Sequence, residues 1–225
     1  MSTDDDGLSR PIALVRQAYN RIVRPQLPRS EISVWAGVPV RDTPVLDRTR
    51  VHDDYKAGFL SAISEVVQDG DRVALVGFGR GVSTVYALRA GADHVVAYEG
   101  AAEMVDVGSE TLRMVGRRDD VTVRHAVVGE AVDLYGDGSE AEVVPPSAIA
   151  DADVLVLDCE GAELSILSGI DSPPARVVVE THPNKGASDA AVRELLDRAG
   201  YALETRTYEP DRPDKTVFVG RSGSA

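Results

Sequence analysis

Cysteine is scarce in this 225-residue chain, and long apolar runs are missing altogether. Cys159 is the only cysteine, which excludes an intramolecular disulfide and a zinc site built from several thiolates. No apolar stretch reaches the roughly 20 residues that a membrane-spanning helix needs, and the acidic start Met1–Asp6 is unlike a signal peptide. We therefore predict a cytoplasmic protein without a transmembrane segment.

Positive charge is also in short supply, since 24 Lys and Arg stand against 37 Asp and Glu for a formal net charge of −13. This balance disfavours binding to phosphate backbones, so we predict no nucleic-acid partner. Only three basic residues besides histidine are lysines, which together with the acid excess favours a halophilic source over simple codon bias. The exception is Gly7–Ser30, with five arginines and no acid. This segment is either a solvated face or a binding surface for an anionic or lipid-linked substrate. In the second case it could also contact a membrane peripherally.

The length fits one large domain, preceded by an extension over residues 1–50. The extension should hold a helix beginning after Ser9 and two extended pieces, Ile32–Pro39 and Thr43–Val51, that form a hairpin-like unit. In residues 51–225 strand and helix patterns alternate, which predicts a Rossmann-like α/β domain with a mostly parallel sheet. The last two strand-like runs are joined by a link too short for a parallel crossover, so they should form a C-terminal antiparallel hairpin. The predicted strands and helices of this domain are Asp53–Val67 (helix), Arg72–Val76, Val82–Ala90 (helix), His94–Tyr98, Ala102–Val115 (helix), Val121–His125, Val154–Leu157, a helix from about Gly161, Arg176–Glu180, a helix capped by Ser188, Ala202–Glu209 and Thr216–Arg221.

The first of these strands runs into the segment Gly77-Phe78-Gly79-Arg80-Gly81. Glycine is needed in such a turn because a side chain would block the approach of backbone to a ligand. The last glycine of a dinucleotide fingerprint would fall at Val82, so the spacing favours S-adenosylmethionine over a nicotinamide cofactor. A tight structural corner is the alternative. We predict that Gly77, Phe78, Gly79 and Gly81 bind the cofactor.

The next two strands end in residues suited to hold a nucleoside. Glu99 lies 22 residues beyond Gly77, close to the offset of an acid that binds ribose hydroxyls, and Gly100 follows it. His125 and Ala126 end the third strand, where an adenine ring would lie. An ordinary solvated acid and a surface histidine are the alternatives at Glu99 and His125.

The fourth strand ends in a cluster of acids, Asp158-Cys159-Glu160-Gly161-Ala162-Glu163. The helix dipole explains acids in a first helical turn, but it does not require Asp158 at the end of the strand. Cys159 should be a small core residue, because neighbouring acids raise the pKa of a thiol.

This acidic segment resembles the FkbM-type methyltransferases, whose signature is an aspartate, any residue, then Glu-Gly-Ala-Glu and a leucine-rich turn ending in glycine. The apolar strand that closes on Glu180 and His182 is also similar, and the resemblance covers about Tyr55–Val219. It implies the class I methyltransferase fold, S-adenosylmethionine bound by Asp158 among others, and O-methylation of a small-molecule or glycan acceptor. The matching residues of the signature are Asp158, Glu160, Gly161, Ala162, Glu163, Leu167 and Gly169. The sequence departs from the family pattern at three positions, where Leu75 replaces an acid, Gly100 a proline and Val156 a lysine.

An alcohol acceptor needs a general base, and we predict Glu160 and His182 as the catalytic candidates. We assign no metal, although the acids with His182 could alternatively gather a magnesium ion. Two other functions share the same turn and acid. One is a nicotinamide oxidoreductase, for which a catalytic Tyr-x-x-x-Lys pair is missing, and the other is a noncatalytic binding domain. The acceptor and the oligomeric state are not specified by the sequence, but Gly7–Val51 and Leu134–Ile149 are the segments expected to select the substrate.

Overall fold

The computed structural model describes residues 15, 19–23, 26–45, 50–129, 140–149, 151–209 and 212–222. The strands are β1 (Arg29–Trp35), β2 (Val38–Pro44), β3 (Val51–His52), β4 (Arg72–Val76), β5 (His94–Glu99), β6 (Val121–Val128), β7 (Glu142–Val144), β8 (Val154–Leu157), β9 (Arg176–Glu180), β10 (Tyr201–Glu209) and β11 (Arg212–Ser222). The α-helices are α1 (Ala57–Val66), α2 (Val82–Ala90), α3 (Ala102–Met114), α4 (Glu163–Ser168) and α5 (Asp189–Arg198). Within these ranges, none of the helices is both long and apolar enough to cross a bilayer.

Eight strands form one sheet in the order β10-β11-β9-β8-β4-β5-β6-β7. The six strands from β9 to β7 in this order run parallel, while β11 pairs antiparallel with β9 and β10 antiparallel with β11. The predicted mostly parallel sheet with a C-terminal antiparallel hairpin is therefore confirmed. β4, β8 and β9 coincide with the predicted strands residue for residue.

Both faces of the sheet are covered by helices, which explains why its central strands are apolar throughout. Successive side chains of β8 point to opposite faces, so Val154 and Val156 pack in the core beneath α1, α2 and α3. Leu155 and Leu157 pack in the second core, beneath α4 and α5. Every residue of β8 is fully buried. This packing fixes the carboxyl ends of the parallel strands at one edge.

A small second sheet, in the order β2-β1-β3, is formed by two strands of the N-terminal extension and by the two residues that follow it. A hairpin is present as predicted, but its position in the sequence was wrong. The expected strand Ile32–Pro39 contains the turn itself, because Ala36 and Gly37 both adopt positive φ angles of 46° and 71°. Val38 and Val40 are fully buried in the same core as α1 and α2, so the small sheet packs directly on the main domain.

Two helices were predicted in the first 67 residues. The bounds of one need correction, and the other falls mostly outside the described residues. The helix predicted over Asp53–Val67 begins only at Ala57, because Lys56 has a left-handed backbone with φ 47° and ψ 39°. The predicted N-terminal helix lies mostly outside the described residues, which include a short π-helical turn at Tyr19–Val23. Most of the arginines between Gly7 and Ser30 lie outside them as well.

The segment Leu134–Ile149 is described only from residue 140 onward. There it contains β7, which pairs parallel with β6 and extends the sheet at its edge. This strand was not predicted, because it is only three residues long.

Candidate active site

A cavity of about 590 Å³ opens at the carboxyl ends of the parallel strands. Its volume lies in the range of small-molecule sites, and its position is where open α/β sheets bind ligands. The walls come from the ends of β4, β5, β6 and β8, from the turn before α1 and from the start of β11. The lining residues are Tyr55, Lys56, Val76, Gly77, Gly79, Arg80, Tyr98, Glu99, Gly100, Glu103, Met104, Ala126, Val127, Val128, Asp158, Cys159, Glu160, Ala162 and Arg212.

Each glycine of the turn after β4 is required for a different structural reason. A Cβ on Gly77 would lie 1.9 Å from the backbone oxygen of Asp158, so this glycine lets the ends of β4 and β8 touch. A Cβ on Gly79 would meet no atom within 4 Å, and Gly79 lines the cavity with φ 49°. Gly81 begins α2 and packs against the backbone of Gly108. Gly79 is therefore the glycine that leaves room for a ligand.

Glu99 ends β5 and is bound to the glycine turn. Its Oε2 accepts a hydrogen bond from Gly79 N–H at 2.8 Å, and its Oε1 accepts one from Ala101 N–H at 2.9 Å. Burial raises the pKa of Glu99 above its ordinary value, and the N–H donors of Ala101 and Gly79 oppose that rise. The carboxylate is thus held in a fixed orientation on the cavity wall.

The other predicted cofactor residues fall into two groups. Gly100 and Ala126 line the cavity, as expected for the end of a nucleoside site. His125 donates a hydrogen bond from Nε2 to the carbonyl oxygen of Gly100 at 3.0 Å, and it does not line the cavity. Phe78 is buried against Gly108. His125 and Phe78 hold the walls in place, and their direct contact with a cofactor stays a prediction.

Glu163 organises the acidic loop after β8. Its side chain is fully buried, and its Oε2 accepts a hydrogen bond from Gly161 N–H at 2.8 Å. Its Oε1 accepts one from Cys159 N–H at 3.3 Å and lies 2.6 Å from Nδ1 of His182. Burial and the carboxylates of Glu163 and Asp158 raise the pKa of Cys159, as predicted, but Cys159 is half-buried and lines the cavity instead of lying wholly in the core.

His182 lies behind the cavity wall. It is 2% exposed and does not line the cavity, whereas Asp158 and Glu160 do. Its Nε2 lies 3.6 Å from Asp158 Oδ1 and 3.6 Å from Glu180 Oε1. The structure therefore brings His182 close to Asp158, but Asp158 lies between His182 and the cavity that a substrate would enter.

Residues 88–203, more than half of the chain, match the family described as the methyltransferase FkbM domain. The match includes β5, β6, the loop after β8, and both Glu180 and His182. The chain belongs to the FkbM methyltransferase family. S-adenosylmethionine is the cofactor of this family, and the resemblance inferred from the acidic segment is confirmed.

Individual methyltransferases are similar to this chain in sequence or in fold. The chain is 31% identical over 127 residues to the ribosomal protein L11 methyltransferase of Streptococcus pyogenes serotype M12, which covers 54% of this chain and 38% of that protein. A crystal structure of ribosomal protein L11 methylase from Lactobacillus delbrueckii subsp. bulgaricus superposes with a TM-score of 0.56 at 14% identity, covering 81% of this chain and 89% of that one. An S-adenosylmethionine-dependent O-methyltransferase from Thermotoga maritima gives a TM-score of 0.52 at 18% identity, covering 80% and 69%. The chain thus spans well under half of its curated Streptococcus pyogenes relative.

The cavity residues of this FkbM domain fit S-adenosylmethionine. The open space at Gly79 admits a ligand beside backbone, and the two oxygens of Glu99 keep lone pairs for hydroxyl donors. Ala126 and Val127 supply an apolar surface for a base at the end of β6. These groups would hold the nucleoside, and the carboxylate of Asp158 would face the cationic end.

Two cations on the cavity wall were missed by the sequence analysis. Lys56 Nζ donates a hydrogen bond to Asp158 Oδ2 and lies 3.4 Å from Glu180 Oε1, while Arg212 donates to both oxygens of Glu180 at 3.1 and 3.2 Å. Burial lowers the pKa of Lys56, but the carboxylates of Asp158 and Glu180 outweigh burial and the net shift is upward. Burial and the nearby carboxylate of Asp158 raise the pKa of Glu180. Lys56 and Arg212 lower it, but the net shift is upward. The rarity of lysine in the chain was the only sequence signal.

Arg80 connects the glycine turn to the small sheet. Its Nε donates a hydrogen bond to Asp42 Oδ2 on β2, and its guanidinium lies 4.4 Å from the ring centroid of Trp35 on β1. The Trp35 ring in turn stacks on His52 with centroids 3.9 Å apart. Because Arg80 lines the cavity, the extension contributes to the shape of the cofactor site.

Proposed function

We propose that this FkbM-family protein is an S-adenosylmethionine-dependent methyltransferase that methylates a hydroxyl oxygen of a sugar, glycan or other small molecule. The observation that carries the proposal is that one cavity is lined by the carboxylate of Glu99, which is suited to bind ribose hydroxyls, and by two further carboxylates at Asp158 and Glu160. A hydroxyl must lose its proton as it attacks, so it needs a proton acceptor beside the methyl donor. The net charge of −13 favours acceptors other than nucleic acid.

When bound, S-adenosylmethionine supplies a methyl group on a sulfonium, which is already a good leaving group. The protein then has to align the acceptor and take its proton. Glu99 fixes the ribose, and Asp158 lies on the same wall. A carboxylate of the cavity would take the proton of the acceptor hydroxyl, and the cofactor would supply the methyl group, with its sulfur keeping the electron pair of the broken carbon–sulfur bond.

Glu160 is the better of the two predicted proton acceptors. It lines the cavity, and its backbone has φ 53°, a conformation that non-glycine residues rarely adopt. Such local strain is characteristic of functional positions. His182 acts instead as a positioning residue, because it is buried behind Asp158 and its Nδ1 is held by Glu163.

The proposal is tested in two steps on the full chain. Isothermal calorimetry should detect binding of S-adenosylmethionine and of its demethylated product, but not of NAD. Extracts incubated with enzyme and cofactor should then contain a product heavier by one methylene, which mass spectrometry assigns to a hydroxyl. Binding of NAD alone would instead indicate the oxidoreductase, and cofactor binding without any product the noncatalytic domain.

Glu160→Gln isolates the chemical step. We expect kcat to fall by about 10²- to 10⁴-fold with little change in cofactor affinity, because the amide cannot accept the proton. Glu142→Gln makes the same change of charge at an exposed position on β7 and should be neutral. An unchanged kcat in Glu160→Gln would remove Glu160 from the mechanism.

A protein acceptor is the second candidate, because the curated relatives are named as methyltransferases of ribosomal protein L11. The same product assay distinguishes the two, since methyl incorporation into a protein fraction rather than into small molecules would favour this reading.

A further inference from the structure

The most unusual group on the cavity wall is the ammonium of Lys56. Its side chain is only 10% exposed, and it reaches Asp158 and Glu180 from the turn before α1, across 102 and 124 residues of sequence. Lys56 has a left-handed backbone, so α1 begins only at the next residue, Ala57.

The groups around Lys56 have the composition of a cation site. Asp158, Glu180 and His182 each offer one ligand atom, and these three atoms lie within 4.8 Å of one another. Two carboxylates and an imidazole form a donor set that suits divalent cations. In this chain, however, two of the three groups already contact the ammonium.

A lysine is usual two residues before the signature aspartate, and Val156 stands there. Residues two apart on a strand share a face, so a lysine at 156 would enter the core directly beneath Asp158. Val156 is fully buried in that core, and Phe59 of α1 belongs to the same cluster. In this chain the cation that contacts Asp158 comes from the turn before α1.

We propose that Lys56 is a built-in counter-ion that takes the place of a divalent cation among Asp158, Glu180 and His182. It holds the two carboxylates together, keeps Asp158 oriented toward the cavity, and repels metal ions from the cluster. The corollary that methyl transfer needs no divalent cation rests on the proposed function, whereas the exclusion of metal does not.

The decisive experiment measures Mn²⁺ binding to the full chain by electron paramagnetic resonance. We compare the wild type with Lys56→Ala, with Lys56→Arg, which keeps the charge, and with the double variant Lys56→Ala/Asp158→Asn. Lys56→Ala should bind Mn²⁺ about 10- to 100-fold more tightly than the wild type, because the repulsion from the ammonium is removed and the three donors remain. Arg212 contacts both oxygens of Glu180 in the wild type and should do so in every variant, so the comparison isolates the charge of Lys56. The arginine variant should resemble the wild type, and the double variant should lose the gained affinity.

Two results would overturn the inference. One is Mn²⁺ binding no tighter in Lys56→Ala than in the wild type, with circular dichroism showing that the variant is folded, and the other is a gain that survives in the double variant. If the alanine variant does not fold, Lys56→Met is measured in its place, because its side chain fills similar space without charge. A chelator should leave wild-type activity within about twofold. The Mn²⁺ result stands even if no methyl transfer is found.

Discussion

Replacing Glu99 by glutamine should weaken S-adenosylmethionine binding, and the structure gives the size of the effect. The carboxylate offers about four lone-pair directions, and backbone N–H groups of Gly79 and Ala101 use two of them at 2.8 and 2.9 Å. The remaining two can accept from ribose hydroxyls. Glutamine keeps one oxygen and turns an NH₂ group toward a donor, so it loses a hydrogen bond to a charged group. Such a bond contributes about 1.5–3 kcal/mol, which corresponds to a roughly 10- to 150-fold rise in Kd.

Calorimetric titration with the cofactor and with its demethylated product measures this rise. Glu65→Gln is the matched control, because it makes the same change of charge on the exposed side of α1 and should leave the Kd unchanged. A rise of less than about threefold for a folded Glu99→Gln protein would contradict the assignment of Glu99 to the ribose.

Other measurements test neighbouring parts of the site. Burial raises the pKa of Glu99, and we propose that its ionised form binds the ribose, so calorimetry at a series of pH values should show cofactor affinity falling with decreasing pH while ordinary glutamates are still ionised. Urea unfolding should show that Gly77→Ala destabilises the protein by about 2–4 kcal/mol, because its Cβ would meet a backbone oxygen at 1.9 Å, whereas Gly79→Ala costs about 1 kcal/mol for its positive φ. A double-mutant cycle with Asp42→Asn and Arg80→Gln should give a coupling energy of about 1–3 kcal/mol, and a value near zero would show that the small sheet and the glycine turn are independent.

The sequence predicted the main sheet well because its signals are local. β8 is an apolar run followed directly by Asp158, and β9 is three valines between Arg176 and Glu180. Both strands are buried on both faces, and their bounds were predicted to the residue. Helix α5 was equally clear, since the Oγ of Ser188 accepts from Ala191 N–H at 3.3 Å as an N-cap should. The turn at Ala36 and Gly37 was missed because it lacks the Asn or Asp that usually marks such a hairpin.

The candidate site was predicted less completely, because much of it depends on distant contacts. The glycine turn, Glu99 and Asp158 stand at strand ends, where the fold class alone places them at one edge. Lys56 and Arg212 approach from segments whose patterns carry no sign of the carboxylates they meet. Glu163 was attributed to the helix dipole, and its contact with His182 could not be read from the sequence.

The contacts of Arg80 with Trp35 on β1 and Asp42 on β2 have a consequence for protein engineering. Grafting the extension of another family member onto this chain, in order to change the acceptor, would also replace Trp35 and Asp42 and release the arginine between them. Such a chimera should therefore show altered affinity for the methyl donor as well. Compensating substitutions around Arg80 would be needed before its selectivity could be interpreted.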